Sequence, residues 1–383
     1  MQQALQQRRK LHTYRNLQPV KPAAEPATVL KDGRKLVDFS SNDYLGLARH
    51  AALAERAKAY ADQYGTGSTA SRLISGSFDI HLSLEEKLAE FFGSESVLLF
   101  NSGFQANSTI IETLTGRHSL VLADRLSHNS LIQGSLLSRG TFRRFDHNDM
   151  GHLQSMLERA REENHDRILI VTESLFSMNG DRVDIPKITE LANHYEALLF
   201  VDDAHAVGVW GEDGKGLAHG VDGIDLVLGT FGKAFGAFGS FVACSNKMKE
   251  YLVNFCSGFI YTTALPPPVI GAVDAALELM PGLKPERVAL RHKIHGVRSA
   301  LTELGYRTIE ADSQIVPILT GDENETLALS EHLEKHGLLA VAIRPPTVPE
   351  DSSRIRLTLT SAHTAEHIER LLDAFRQWGS RGA

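Results

Sequence analysis

The sequence has little cysteine: Cys244 and Cys256 are the two in 383 residues. That excludes a disulfide framework, a CxxC redox pair and a zinc site built on cysteine spacing. It contains no HExxH and no GxxxxGK[ST], the short motifs of zinc metalloproteases and of P-loop phosphate sites. A surplus of positive charge is missing too. With 40 Lys and Arg against 47 Asp and Glu, the net charge is −7 and the pI about 6.2, whereas a nucleic-acid-binding chain shows a basic footprint. The basic cluster Arg8, Arg9, Lys10 and Arg15 is short and, Arg15 apart, reads as the solvated face of an N-terminal helix. Apolar runs are short as well. None approaches the ~18 residues of a membrane span, and the opening MQQALQQRRKLHTYRN lacks the apolar stretch of a secretory signal. A cytoplasmic protein that binds neither membrane nor nucleic acid is the expectation.

Hydrophobic residues make up 42% of the chain, enough for a large domain and a smaller one. SVLLF (96–100), RILIVTE (167–173), ALLFVDD (197–203) and DLVLGTF (225–231) are nearly continuous apolar runs, the pattern of buried parallel strands. Between them, Leu153, Met156, Leu157 and Ala160, then Ile188, Leu191, Ala192 and Tyr195, repeat at helical spacing. Asp184 and Pro186 form a cap-and-start pair for the second helix. The alternation predicts an α/β fold with a mostly parallel sheet. At YTTALPPPV (261–269) three consecutive prolines argue against a regular element, and a hinge is expected just after it. The predicted organisation is an N-terminal helix and arm over 1–38, a large domain over 39–270 and a small α+β domain over 271–383. The last ends in a helix capped by Thr364 and stopped by Gly379, with Ile368, Leu371, Leu372 and Phe375 as its buried stripe.

GTGSTA (65–70) fits the dinucleotide-binding pattern GxGxxG/A, with Glu85 about 20 residues on. Its context is wrong: LAERAKAYADQY before it reads as helix, and Glu85 sits within a second helix. The carboxyl ends of the strands are more informative, because ligands of open α/β sheets gather there. SVLLF leads into NSGFQAN, where Gly103 can open a helix whose free N–H groups hold a phosphate. RILIVTE leads to Ser177, ALLFV to Asp202 and His205, and DLVLGTF to Thr230 and Lys233, while DRLSHNS supplies His128. Singly, each has an ordinary explanation as a cap, a turn former or a satisfied core histidine. Together they suit an aromatic cofactor with a phosphate, a basic ring nitrogen and an aldehyde, which is pyridoxal 5'-phosphate. Gly229, Gly232, Gly236 and Gly239 around Lys233 then read as room for the backbone to pass close to a flat ring.

FSSNDYLGLA (39–48), DRLSHNS (124–130), VDDAHAVG (201–208), GTFGKAFG (229–236) and YTTALPP (261–267) together resemble the α-oxoamine synthases, over about residues 5–375. The resemblance implies the aspartate-aminotransferase fold, fold type I of the pyridoxal-phosphate enzymes, and condensation of an amino acid with an acyl thioester with loss of carbon dioxide. AIRPPTVP (342–349) and RIRLTLTSAHT (354–364) are most similar to the members that join L-alanine to a pimeloyl thioester, on coenzyme A or acyl carrier protein, in biotin biosynthesis. A homodimer with active sites at the subunit interface is implied as well. Carried over by motif, Lys233 holds the cofactor covalently, Asp202 pairs with the ring nitrogen, His205 bonds the ring hydroxyl and His128 stacks on the ring. The Gly103 and Phe104 backbone, with Ser177 and Thr230, positions the cofactor and its phosphate, and Thr262 or Thr263 serves the partner subunit's phosphate. Arg356 binds the amino-acid carboxylate, and Arg15, His128 and Thr347 contact substrate. Asn179 departs from the pattern, which leads one to expect aspartate there. The competing readings are a relative using glycine or serine with another thioester, such as glycine C-acetyltransferase, and a pyridoxal-dependent aminotransferase acting on amino acid alone.

Overall fold

A computed structural model describes residues 1–10 and 14–379. The chain divides into two units, one of residues 47–177 and 182–287, the other of residues 1–46, 178–181 and 288–383.

The first unit is built on seven strands: β1 (Ser96–Phe100), β2 (Ser119–Asp124), β3 (Thr141–Phe145), β4 (Arg167–Glu173), β5 (Leu198–Asp202), β6 (Leu226–Thr230) and β7 (Ser240–Cys244). They run in the order β1-β7-β6-β5-β4-β2-β3, and β7 alone pairs antiparallel with its neighbours. Both faces of the sheet are covered. Val121, Ala123, Leu169, Val171 and Phe200 point into one core, and Leu120, Leu122, Ile170, Leu199 and Val201 into the other. Successive side chains in a strand face opposite ways, so a strand buried on both sides is apolar at every position. That is why the runs through β1, β4, β5 and β6 are legible as strands. Helices α1 (Gly103–Leu114) and α2 (Asn129–Leu137) follow β1 and β2; α3 (Met150–Glu162) and α4 (Ile185–His194) follow β3 and β4. The expected stripes of α3 and α4 are buried, and Asp184 accepts from the Lys187 N–H as the cap of α4.

The prolines of YTTALPPPV behave differently from expectation. Pro266 is the N-cap of a helix, Pro267–Leu279, with Pro267 and Pro268 in its first turn. The first N–H groups of a helix have no intrahelical acceptor, so proline loses nothing there and its fixed φ suits the start. This helix packs on Ala51–Tyr64, with Arg56 paired to Asp274 and Glu278. Residues 271–287 thus fall in the larger unit.

The glycines around Lys233 mostly serve protein packing. A Cβ on Gly229 would lie 2.3 Å from the Phe241 ring. Gly236 (φ +63) would meet the backbone of Leu47 and Ala48, and Gly239 (φ +102) sits in a left-handed conformation costly to other residues. Gly232 alone faces open space, with Thr230 Oγ1 at 3.7 Å its only near neighbour.

The second unit is α+β. Lys21–Pro22, Thr28–Lys31, Arg34–Asp38 and Leu338–Leu339 form one small sheet, so the N-terminal segment pairs with the C-terminal one, in parallel at Val37–Leu338. Ile315–Gly321, Ser353–Thr358 and Ala342–Ile343 form an antiparallel three-stranded sheet. An N-terminal helix runs over Gln2–Lys10, and helices Glu323–Lys335 and Ala365–Gly379 belong to this unit. The last starts with Thr364 accepting from the His367 N–H and runs through Gly379; Leu371 and Phe375 are fully buried, Ile368 and Leu372 half-buried.

Candidate active site

At the carboxyl edge of the seven-stranded sheet, β5 ends in Asp202 and β4 in Glu173, directly opposite each other in the parallel register. Asp202 is buried. Its Oδ1 accepts from the Ala204 N–H at 3.0 Å and its Oδ2 from Asn107 Nδ2 at 2.7 Å. Asn107 lies on α1 and also donates to the Ser130 hydroxyl at 2.8 Å. The Ser130 oxygen is in turn 2.7 Å from His128 Nδ1. A side-chain relay therefore runs from Asp202 through Asn107 and Ser130 to His128.

His128 is the N-cap of α2, and its Nδ1 also accepts from the Ser130 N–H at 3.2 Å. That leaves Nε2 to carry the ring proton of the neutral form. The residue keeps a solvent-exposed side while the protein crowds the other. Crowding lowers its pKa below the usual histidine value, tempered by the exposed side; Asp202 pulls it up and Lys233 pushes it down. His205 is buried in the turn after β5.

Lys233 is half-buried in the turn after β6. The turn is closed by Phe231 N–H to Gly239 O at 2.9 Å and Gly236 N–H to Lys233 O at 2.9 Å. Thr230 supports it, donating to Gly239 O at 3.0 Å and accepting from the Gly232 N–H at 3.3 Å. Lys233 follows β6, the strand paired with β5, which brings it to the sheet edge where Asp202 lies, and its charge acts on both His128 and Glu173.

Beyond β1, Ser102 caps α1 by accepting from the Gln105 N–H, and Gly103 and Phe104 open the helix with Phe104 half exposed. A helix start of this kind is a ready anion site. Thr262 and Thr263 lie beside it: Asn101 Nδ2 donates to Thr262 Oγ1 and to Thr263 O, each at 2.8 Å. Ser177 is buried, and its N–H is 3.3 Å from Glu173 Oε2.

The remaining expected residues belong to the other unit. Arg15 Nη2 donates to Thr347 Oγ1 at 3.0 Å, with both side chains exposed. Arg356 is buried, donating to Thr358 Oγ1 at 2.8 Å and to Asn42 Oδ1 at 3.3 Å from both terminal nitrogens. Asn179, where aspartate was expected, accepts from Arg354 Nη1 at 2.6 Å.

Sequence reasoning missed Glu173, Asn107, Ser130 and Asn42. A signal existed for two of them: Glu173 ends an apolar run just as Asp202 does, and Asn107 lies one helical turn beyond Gly103. Burial, then the charge of Asp202, raises the Glu173 pKa to about 8, against the pull of Lys233 and the N–H groups of His128 and Ser177. Burial likewise raises Asp203 to about 7, although Ser174 and the N–H groups of Leu217 and Ala218 hold its carboxylate. A carboxyl whose folded pKa is raised binds protons in the folded state that the unfolded chain has released, so stability falls as pH rises toward the folded value. Histidines held below their ordinary value of 6.5, such as His81 and His128, act oppositely but only below about pH 6.5. The cofactor-free protein is therefore expected to lose stability between about pH 6.5 and 8. Urea titrations across that range check it, and a constant or rising midpoint would contradict it.

These residues fit pyridoxal phosphate in kind: an amine for its aldehyde, a buried carboxylate for its ring nitrogen, a helix start for its phosphate. The aminotransferase class I and II family model matches residues 34–375. The chain belongs to that family. It is 48% identical over 374 residues to a putative 8-amino-7-oxononanoate synthase of Desulfosudis oleivorans, covering 98% of this chain and 97% of the relative. It is 45% identical to the 8-amino-7-oxononanoate synthase of Gluconacetobacter diazotrophicus, covering 97% and 95%. Among solved structures, Sphingomonas wittichii serine palmitoyltransferase superposes with a TM-score of 0.93 at 28% identity, covering 99% and 97%. The 8-amino-7-oxononanoate synthase of Francisella tularensis gives 0.79 at 27%, covering 91% and 98%. The expected α/β fold of the pyridoxal-phosphate enzymes is the fold found, and pyridoxal phosphate is its cofactor.

Proposed function

We propose that this protein catalyses the decarboxylating condensation of L-alanine with a pimeloyl thioester, giving 8-amino-7-oxononanoate, carbon dioxide and a free thiol. The observation that carries the reading is the gathering of Asp202, His128 and Lys233 at one sheet edge, in a chain 44–48% identical to proteins of that name. Bound pyridoxal phosphate supplies an electron sink for the pair left on the amino acid's α-carbon.

The chain's own groups do the rest. Lys233 would hold the cofactor through its amine, and with alanine bound that amine would take the proton from the alanine α-carbon. Asp202 holds a proton at the ring nitrogen, with Asn107 and the Ala204 N–H fixing its two oxygens. His128, oriented by Ser130, would stack on the ring and contact substrate; His205 would bond the ring hydroxyl. The start of α1 with Ser177 and Thr230 takes the phosphate. The alanine α-carbon bonds to the thioester carbonyl as the C–S bond breaks and the thiol departs. The alanine carboxylate then leaves as carbon dioxide, and the α-carbon regains a proton.

Arg356 binds the alanine carboxylate, with Asn42 and Thr358 holding the guanidinium. A hydrogen bond to a charged group contributes ~1.5–3 kcal/mol. Arg356→Ala is therefore expected to raise KM for alanine about 10- to 100-fold, leaving kcat within about tenfold. Steady-state kinetics check this, and an unchanged KM would remove Arg356 from the site. Arg15 and Thr347, joined to each other, contact the acyl donor, on coenzyme A or acyl carrier protein.

A homodimer is supported by apolar side chains left exposed on the larger unit, among them Ile74 (80%), Phe238 (56%), Phe255 (64%) and Tyr261 (86%). Large apolar side chains this exposed are candidates for cover by a second copy, and Thr262 or Thr263 beside Tyr261 then serves the second copy's phosphate. The cytoplasm, where Cys244 and Cys256 stay thiols, is the proposed location.

Thiol release tests the substrate pair. Alanine, glycine and serine are each crossed with pimeloyl, acetyl, succinyl and palmitoyl thioesters. Release is expected with alanine and the pimeloyl donor. The likeness to serine palmitoyltransferase keeps serine and palmitoyl in the panel, and preference for that pair would move the substrate assignment.

A further inference from the structure

We propose that Glu173 is a positioning residue that sets His128 and Ser177 together against the cofactor. The inference rests on the site reading above, in which His128 stacks on the ring and Ser177 helps to hold the cofactor.

Glu173 is 2% exposed. Its two oxygens are used separately: Oε1 accepts from the His128 N–H at 2.6 Å and Oε2 from the Ser177 N–H at 3.3 Å. His128 opens α2, and Ser177 lies in the segment after β4, so one side chain joins two loops from different parts of the sheet edge. The rigid end of β4, in register with Asp202 on β5, is their common anchor. The charges acting on Glu173 are also those of the chemistry: Asp202, its register partner on β5, and Lys233.

The residue type follows from this geometry. Two backbone N–H groups converge on one side chain, and each needs an acceptor, because a buried donor left unpaired is destabilising. Leucine would offer none. Glutamine would offer one carbonyl oxygen and turn its amide NH₂, a donor, toward the other N–H. Only a carboxyl group presents two acceptor oxygens on one flat head. Aspartate has both oxygens, but its stem is one carbon shorter and the strand cannot move to compensate. The strand therefore carries a buried carboxyl beside a second carboxyl, an arrangement unfavourable for folding alone. Its position instead favours the holoenzyme, where His128 and Ser177 must meet the ring and phosphate at fixed places.

The test uses the cofactor-loaded protein and the variants Glu173→Gln and Glu173→Asp. Three quantities are read: melting of the cofactor-free protein, the dissociation constant of pyridoxal phosphate from the growth of its visible lysine-adduct band, and kcat and KM for alanine. Glu173→Gln is expected to melt within a few degrees of wild type while binding the cofactor about tenfold or more weakly, with a lower kcat and little change in KM. Glu173→Asp is expected to fall between the two. A folded Glu173→Gln protein that binds cofactor within twofold of wild type and turns over at its rate overturns the proposal. Failure of both variants to fold without cofactor also overturns it, marking Glu173 as a folding residue. Should wild type form no lysine-adduct band, the site reading fails and this inference with it; a normal wild-type band with unaffected variants fails the inference alone.

Discussion

Lys233→Ala is expected to lower the rate of thiol release by at least about 10²–10⁴-fold, the range for one positioned general acid or base. The loss should exceed that of any other single substitution, because in the proposed mechanism the same amine also anchors the cofactor and gives way to substrate. The backbone of its turn does not depend on the side chain. Lys233 is half-buried, and its turn is closed by backbone bonds from Phe231 to Gly239 and from Gly236 to Lys233 that alanine leaves intact. The variant should therefore fold and bind cofactor without forming the visible adduct band. Initial rates and absorbance spectra check this, and turnover near wild type would remove Lys233 from its role.

Asp202→Asn is the second large effect. The substitution keeps the shape and removes the charge proposed to hold the proton at the ring nitrogen. A hydrogen bond to a charged partner contributes ~1.5–3 kcal/mol, so kcat is expected to fall about 10- to 100-fold or more. Asp202 is the charge that pushes Glu173 upward after burial itself, so in Asp202→Asn the Glu173 carboxyl should ionise at lower pH than about 8. The loss of stability expected above pH 6.5 should shrink accordingly. Rates and urea midpoints measured on one preparation examine both, and an Asp202→Asn enzyme with unchanged kcat would refute the pairing with the ring nitrogen.

What the chain revealed before its structure follows from where the information is stored. Strands β1, β4, β5 and β6 are legible because burial on both faces makes every residue apolar. Strand β3, TFRRF, is not: it is the sheet's edge, and Arg143 and Arg144 interrupt its pattern. The triple proline misleads because it is read as an end, whereas a helix tolerates proline in its first turn. Asp202, His205, Thr230 and Lys233 stand out because each ends a legible strand or comes within three residues of its end. Glu173 is hidden because its meaning lies in cross-strand register with Asp202 and in two N–H groups from residues 128 and 177. Asn107 and Ser130 matter through the packing of α1 on α2, a contact that no local pattern reports. The glycines around Lys233 carry a related lesson. Gly229 is small for Phe241 and Gly236 for the backbone at Leu47 and Ala48, so close approach was the right inference and a ligand the wrong partner for most of them.

The central claim is that a carbon–carbon bond to the acyl donor forms at the alanine α-carbon and that the alanine carboxylate is then lost. Alanine labelled at its carboxyl carbon, incubated with pimeloyl thioester and the cofactor-loaded enzyme, tests it most directly. The account predicts one labelled carbon dioxide for each thiol released, an amino ketone without label, and neither product with Lys233→Ala. Label retained in pyruvate, formed without thiol release, would contradict it and identify an aminotransferase.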